Sequence, residues 1–387
     1  MGGMSRLLIS RRQALIAAAA AAGGAFGLAD LAHSATTDSA AGGPLRVGYL
    51  PITDAAPLLI AHSAGLYPAG VGKPVLFRSW AALGEAFLNR QLDVVHLLMP
   101  MAVQLRYALG GGVRVLGWNH TNGSALTVAP HIRELPDLAG SQLAIPFWWS
   151  IHNIVLQKLL RANGLQPVIR RSASRADRTV ELVVMSPSDM VPALATGTIG
   201  GYVVADPFNA MAQTKKIGRI HTFLGDVWRD HACCALVTRD DVIASRPAAV
   251  QQLTDAVVTA QLALSKDRKA AAAKLGGGRY LPQPVPAITL AMTYPTAPYP
   301  LRHPEWQPQR LGFQPFPFPS FTDELVTSMR DTVIDGDRRF LDRLDPATVH
   351  SDLVDDTFVR NSIQAHGGPA AFGLSGDYTR TEQLELS

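Results

Sequence analysis

The feature that constrains this chain most is that part of it echoes another part. Ala86-Phe87-Leu88-Asn89-Arg90-Gln91-Leu92-Asp93-Val94-Val95-His96-Leu97-Leu98-Met99-Pro100 lies over Ala193–Pro207 without a gap. Each copy runs from a helix end through a tight turn and an apolar strand to a proline. Two readings are open. Two βα units can share such a pattern by chance, or the chain holds two topologically matched lobes, each offering a strand C-terminus to a shared cleft. In open parallel sheets, ligands bind just beyond those strand ends.

The remaining pattern fits either reading and sets the class as α/β. Leu45–Pro51 is a short buried-strand run ended by proline, and Pro57–Gly65 reads as a helix with a glycine stop. Val75-Leu76-Phe77 is a second strand, Trp80–Asn89 a helix, Leu92–Leu98 a third strand and Val113–Trp118 a fourth. Strands alternating with helices imply mostly parallel sheets covered on both faces. A crossing into a second lobe is expected at Thr127-Val128-Ala129, and a return at Cys233–Thr238. Arg246–Ala263 reads as a long helix, Pro282–Pro319 as an irregular arm anchored by Phe316 and Phe318, and Thr322–Thr332 as a helix. The last ~15 residues read as poorly ordered. The resulting division is 1–35, a signal peptide; 45–126, lobe 1; 127–222, lobe 2; 223–330, the return to lobe 1 with the arm; and 331–387, a helical segment and tail.

At 387 residues, 47% apolar and 17% charged, the chain is long enough for two cores and too apolar to be disordered. Its net charge is +4, half of it from Arg6, Arg11, Arg12 and Asp30, and no basic stripe interleaves with aromatics. Nucleic acid is therefore excluded as a partner. Ser10-Arg11-Arg12-Gln13-Ala14-Leu15-Ile16, followed by a weak Ala/Gly-rich apolar stretch, reads as a twin-arginine export signal with small residues at Ala32, Ser34 and Ala35 for cleavage. That stretch is too short for a membrane span. No cysteine follows it to carry a lipid anchor, so a freely soluble periplasmic protein is expected.

One stretch carries candidate chemistry. Trp148-Trp149-Ser150-Ile151-His152-Asn153 closes the strand-like run Gln142–Pro146 and opens the helix-like run Ile151–Leu160. Helix N-termini present unpaired backbone N–H groups, so an imidazole, an amide and a hydroxyl there suit a small anion or polar head group. The two tryptophans cannot both point inward if the segment is extended. His96, in mid-strand, reads as structural, and Asp54 and Asp206 either cap helices or face the cleft. Cys233-Cys234 is the sole cysteine pair. Buried thiols, a strained disulfide, and a metal site with His231 all remain open, although ligands on one short segment cannot close a zinc site. No metal set, catalytic set or cofactor motif is assigned.

From about Leu45 to Asp356 the chain resembles the periplasmic solute-binding proteins of ABC importers in the nitrate, bicarbonate and aliphatic-sulfonate (taurine) group. Four matches carry the resemblance: Leu50-Pro51-Ile52-Thr53-Asp54-Ala55-Ala56-Pro57, Leu92–Met101, Ser150-Ile151-His152-Asn153 and Ala205-Asp206-Pro207-Phe208-Asn209-Ala210. It implies a type II periplasmic-binding-protein fold, two lobes with mostly parallel sheets flanking a central cleft. By position it implies Trp80, His152 and Asn153 at the pocket, Gly123 and Ser124 with Asn122 as donors from the lobe edge, and Thr53, Asp54, Met99 and Asp206 on loops facing the cleft. Cys234 stands where nitrate binders are expected to carry a lysine, and Ser124 where a longer amide is expected. Without a fixed cation, a bare inorganic anion is harder to hold, so a neutral, zwitterionic or partly apolar solute also fits.

The function so implied is capture of a small solute by a monomer, which then docks on ABC permease and ATPase subunits. The competing reading is an enzyme on the same scaffold, similar to thiamine-pyrimidine synthases or sulfinate desulfinases, with Cys234 as nucleophile beside His231 or His152. A sensory rather than transport role is a third.

Overall fold

The computed structural model describes residues 43–299, 301–306 and 310–386. The expected signal peptide, residues 1–35, lies outside the described residues.

The apolar run at Leu45 forms β1 (Val47–Tyr49), buried at every position. Pro51 ends it, because proline has no N–H for a ladder. A single turn at Thr53–Ala55 feeds α1 (Ala56–Ser63), with Pro57 in the first turn, where a missing N–H costs nothing. Gly65, at φ +71°, follows the end of that helix. Next come β2 (Val75–Leu76), α2 (Trp80–Leu88), β3 (Val94–Leu98), α3 (Met99–Tyr107) and β4 (Val113–Trp118). The Ser79 hydroxyl caps α2, accepting from the Ala82 N–H at 3.2 Å.

The chain then makes β5 (Thr121–Asn122), β6 (Ser124–Val128), β7 (Gln142–Ile145), α4 (Ile151–Ala162), β8 (Gln166–Val168), β9 (Thr179–Val184), α5 (Pro187–Ala195), β10 (Gly201–Ala205), α6 (Phe208–Thr214), β11 (Arg219–Phe223) and β12 (Cys234–Arg239). Two sheets result, in the orders β2-β1-β3-β12-β4 and β11-β6-β10-β7-β9-β8. In each, one strand runs against the rest. β12 is antiparallel to β3 and β4, and β6 is antiparallel to β10 and β11. Those are the strands the chain enters directly after crossing from the other sheet. It arrives at the end where the other strands finish, so it must run the opposite way.

The internal echo acquires a meaning here. β3 and β10 hold equivalent places, each with a parallel neighbour on one side (β1, β7) and the reversed strand on the other (β12, β6). The two crossings also run side by side. The Asn122 N–H donates to the His231 carbonyl at 2.9 Å, and Thr121 bridges Ala232.

Beyond β12 lie α7 (Asp240–Ser245), the expected long helix α8 (Pro247–Lys266), α9 (Arg268–Leu275) and α10 (Val285–Met292). The proline-rich arm is thus more regular than its composition suggests. It holds α10 and a short strand, β13 (Leu311–Gly312), which pairs with β5 at the crossing. Phe316 and Phe318 are buried as expected, Phe318 edge-on to Trp118 at 5.6 Å. Helices α11 (Pro319–Asp331), α12 (Pro346–Leu353) and α13 (Thr357–Ala365) complete the shell. The tail departs from expectation, because its backbone is bonded. Arg229 N–H donates to Gln383 O, Glu385 N–H to Val227 O, and the Trp228 indole N–H to Glu382 at 2.8 Å. Among the described residues no helix is long and apolar enough to cross a membrane.

Candidate functional site

Several strands that end toward the crossings are followed by a candidate site residue. Thr53 and Asp54 follow β1, Trp80 opens α2, Met99 follows β3, His120 follows β4, His152 follows β7 and Asp206 follows β10. Cys233 and Cys234 stand where the return crossing enters β12. All are buried, with Thr53, Asp54, His120, His152, Cys233 and Cys234 at 0% exposure.

His152 sits in the first turn of α4, fixed by the Ser150 cap, whose hydroxyl accepts from the Asn153 N–H at 3.2 Å. Its Nε2 lies 2.9 Å from the Ser124 hydroxyl and 3.9 Å from the Cys233 sulfur. The imidazole therefore joins β6 of the second sheet to the strand returning to the first. Asn153 does other work. Its amide N–H₂ donates to the Trp148 carbonyl at 2.9 Å and its oxygen accepts from Gln157 at 2.9 Å, so the side chain braces the helix start. Of the two tryptophans, Trp149 enters the core against Phe340 at 5.7 Å, and Trp148 is half-buried.

On the first-sheet side, Asp54 Oδ2 lies 3.0 Å from His120 Nε2. The rings of Trp80, His96 and His120 follow in sequence at centroid spacings of 6.2 Å. Gly123 makes this possible. Its φ is +84°, and a Cβ on it would come within 2.9 Å of Asp54 Oδ1 and 2.8 Å of Leu311. Its N–H is already given to the Arg310 carbonyl at 2.8 Å, so it is a spacer here rather than a donor. Thr53 is likewise engaged, with N–H and hydroxyl both donating to the Asp206 carbonyl at 2.8 and 3.0 Å. That contact joins the end of β1 in one sheet to the end of β10 in the other. The Asp206 carboxylate accepts from the Ala210 N–H at 3.1 Å and the Tyr294 hydroxyl at 3.0 Å, so it caps α6. Met99 N–H donates to the Cys233 carbonyl at 2.9 Å.

Burial and pairing set the protonation. Burial pushes Asp54 up to about 7 against the pull of His120. Burial alone would depress His120, but the Asp54 carboxylate overrides it and holds the imidazole up at about 10. Burial, outweighing the hydrogen bonds to its carboxylate, lifts Asp206 to about 7. Burial pushes His96 down to about 3 and His231 to about 4. For the thiols, burial is unfavourable to either anion, but the Cys234 hydrogen bond and His152 draw Cys233 well below its ordinary range, while burial and Cys233 raise Cys234.

Asp54, His120, Cys233 and Cys234 also form a set of potential metal ligands, one donor atom each, all within 4.8 Å of one another. The sequence did not suggest this grouping. His120 and Cys233 were not singled out as site residues, although His120 stands directly after β4 in the stretch that already drew attention to Gly123 and Ser124. The cysteine beside His152 is Cys233, not Cys234.

The sequence model of the NMT1-like family matches residues 39–276. Among curated proteins, the chain is 27% identical over 241 residues to the nitrate/nitrite binding protein NrtA of Nostoc, covering 56% of this chain and 52% of that protein. It is 28% identical over 219 residues to the bicarbonate transport ATP-binding protein CmpC of Synechococcus elongatus, covering 51% of this chain and 32% of that protein. The chain thus spans about half the length of the first of these relatives and about a third of the second. Among solved structures, the periplasmic nitrate-binding protein NrtA of Synechocystis superposes with a TM-score of 0.72 at 17% identity, covering 88% of this chain and 93% of that one. The fold is that of the two-lobed α/β periplasmic binding proteins, as the sequence resemblance implied.

Proposed function

The chain belongs to the NMT1-like family, and from that premise we propose that it is the solute-binding component of an ABC importer. It captures a small anion or small organic solute of the nitrate/sulfonate-like class in the periplasm and delivers it to permease and ATPase subunits. In this reading the chain acts as a monomer exported by the twin-arginine route. Its lobes are built on the two sheets, 45–126 with 223–330 and 127–222. The strand pairing favours a first crossing at Ser124, where β6 begins, over Thr127. The relatives named for nitrate and bicarbonate transport support the class of cargo and of partner.

The observation that carries the proposal is the position of His152. A helix-start imidazole on one sheet, 2.9 Å from Ser124, meets Cys233 on the strand returning to the other. A solute that contacts both sides prefers the closed arrangement and shifts the equilibrium toward it. Trp80, Asp54, Thr53, Met99, Asp206 and Cys234 form the surrounding wall.

A thermal-shift panel of nitrate, bicarbonate, taurine and alkanesulfonates tests this. At least one compound is expected to raise the melting temperature of the wild type and not of His152→Gln. Shifts of equal size in both proteins would refute the pocket. The 3.9 Å approach of the Cys233 thiol to His152 favours one second reading, a thiol nucleophile on the same scaffold. A covalent adduct with a candidate sulfinate, lost in Cys233→Ala, would replace the transport reading with that one.

A further inference from the structure

We infer that Asp54, His120, Cys233 and Cys234 form a binding site for one borderline-soft transition-metal ion, with Zn²⁺ as its probe. Four protein ligands of oxygen, nitrogen and sulfur type are what a closed, tetrahedral zinc site takes. In such a shell, bonds of about 2.0–2.3 Å give ligand–ligand edges of roughly 3.3–3.8 Å. Two edges are already close to that. The sulfurs of Cys233 and Cys234 are 3.5 Å apart, and Asp54 Oδ2 and His120 Nε2 are 3.0 Å apart. All four donor atoms lie within 4.8 Å of one another, so the two halves need only close by about 1 Å.

The second observation concerns what these groups lack. All four polar atoms of Asp54 and His120 are buried: Asp54 Oδ2 and His120 Nε2 have only each other, as an ion pair at 3.0 Å, and Asp54 Oδ1 and His120 Nδ1 have no hydrogen-bond partner. Buried polar atoms are normally met by a donor or acceptor, and a carboxylate accepts at several positions. A single cation between them answers the carboxylate, the imidazole and the sulfurs together.

The paired sulfurs point the same way. Consecutive strand residues face opposite sides, but Cys233 precedes the first residue of β12, and the two sulfurs lie 3.5 Å apart. At 3.5 Å they are not in a disulfide, whose S–S bond is about 2.05 Å. The ligands come from three separate segments, which removes the objection that one short stretch cannot enclose a zinc ion. His231, the nearest imidazole in sequence, is not among the donors that lie within 4.8 Å of one another.

Thiolate and imidazole donors select zinc-like ions over the oxygen-seeking Ca²⁺ and Mg²⁺. On loading, the ligating thiols and the His120 imidazolium release their protons to solvent, and His120 coordinates as neutral imidazole. The loaded site then carries one net negative charge, the ion's two positive charges against Asp54 and two thiolates. It is a holder for the metal rather than a hook for an anionic solute. His120 lies on the outward crossing, and Cys233 and Cys234 end the return crossing, so the ion also ties the two together. Metal binding here is independent of whether the chain delivers a solute to a permease.

The test uses the full chain, reduced and stripped with a chelator, titrated with Zn²⁺ against a chromophoric competitor and separately with Co²⁺. The expected result is one Zn²⁺ per chain, a Co²⁺ spectrum with a thiolate charge-transfer band, and no competition from Ca²⁺ or Mg²⁺. Cys233→Ser, Cys234→Ser and His120→Ala should each weaken Zn²⁺ by at least the roughly 10–100-fold seen when even an outer-shell partner is lost. Circular dichroism of each stripped variant separates lost ligation from lost folding, and the wild-type Co²⁺ spectrum reports sulfur ligation without any variant. Folded wild type that takes up no Zn²⁺, a Co²⁺ spectrum without a thiolate band, or binding undiminished in both cysteine variants would overturn the inference.

Discussion

Replacing Gly123 with alanine tests whether the close approach of Asp54 to the outward crossing is a built feature. The backbone there is left-handed at φ +84°, and the new Cβ would meet Leu311 at 2.8 Å, Asp54 Oδ1 at 2.9 Å and His120 Nδ1 at 3.4 Å. An L-residue in that backbone region costs about 1–2 kcal/mol, and overpacking a filled site costs about 1–3 kcal/mol. Together they predict a loss of roughly 2–5 kcal/mol. At about 2.1 cal/mol/K per residue over roughly 340 described residues, the unfolding entropy is near 0.7 kcal/mol/K, so the melting temperature should fall by about 3–7 °C. Gly65→Ala supplies the reference. Its φ is +71°, yet nothing lies within 4 Å of the added Cβ, so only the backbone cost remains, about 1–2 kcal/mol or ~2 °C. Differential scanning calorimetry of both variants with wild type measures the difference. Equal shifts for the two glycines would show that Gly123 is not holding space for Asp54.

Other consequences lie farther from the site. Asp93, nearly fully buried, accepts from the Arg46 backbone and guanidinium at 2.9–3.1 Å and pairs with Arg246 at 3.0 Å. Burial opposes its ionisation, but the Arg46 hydrogen bonds override that and hold it below 3.8. Because the folded value is the lower one, its stabilisation is present above pH 3.8 and fades as pH falls through the folded value. Asp93→Asn should cost about 3–5 kcal/mol at pH 7 in urea unfolding, with the gap to wild type narrowing in acid. His350, 2.9 Å from the Thr322 hydroxyl, is pushed by burial from 6.5 down to about 4. The fold favours the neutral ring, so that stability is present above pH 6.5 and lost toward pH 4; His350→Gln should flatten this part of the urea-midpoint profile. Glu382→Ala strands the buried Trp228 indole N–H. It should cost about 1–3 kcal/mol and change tryptophan emission, whereas an unchanged melt would mean the tail is not anchored there.

What the sequence disclosed followed from local periodicity. The strand runs at Leu45, Leu92, Val113 and Gln142, the capped start at Ser150, and the repeat that pairs β3 with β10 were all readable, because each depends on neighbours within a few positions. The position of His152 at a helix start followed from the same reasoning, whereas the placing of Asp54 and Asp206 on loops facing the cleft was what the family resemblance implied. What stayed hidden depends on the crossings. His120 meets Asp54 only because the ends of β1 and β4, far apart in sequence, reach the same crossing, and Cys233 meets His152 only where the return crossing enters β12. Asn153 and Gly123 were assigned to the pocket by position in a pattern, whereas their hydrogen bonds are spent on Trp148, Gln157 and Arg310. The tail reads as poorly ordered because it is a chain terminus, and its attachment to Trp228 is a long-range pairing that position in the chain does not encode.

The account rests most heavily on the imidazole at the mouth of α4. Calorimetric titration of the best-scoring solute into wild type and His152→Gln, with the solute recovered afterwards and analysed, tests it most directly. The account expects saturable binding at one site per chain, unaltered solute, and an affinity lowered about 5–150-fold by removing one buried hydrogen-bonding partner worth about 1–3 kcal/mol. Equal affinity in the two proteins, or solute returned as a different compound, would contradict it.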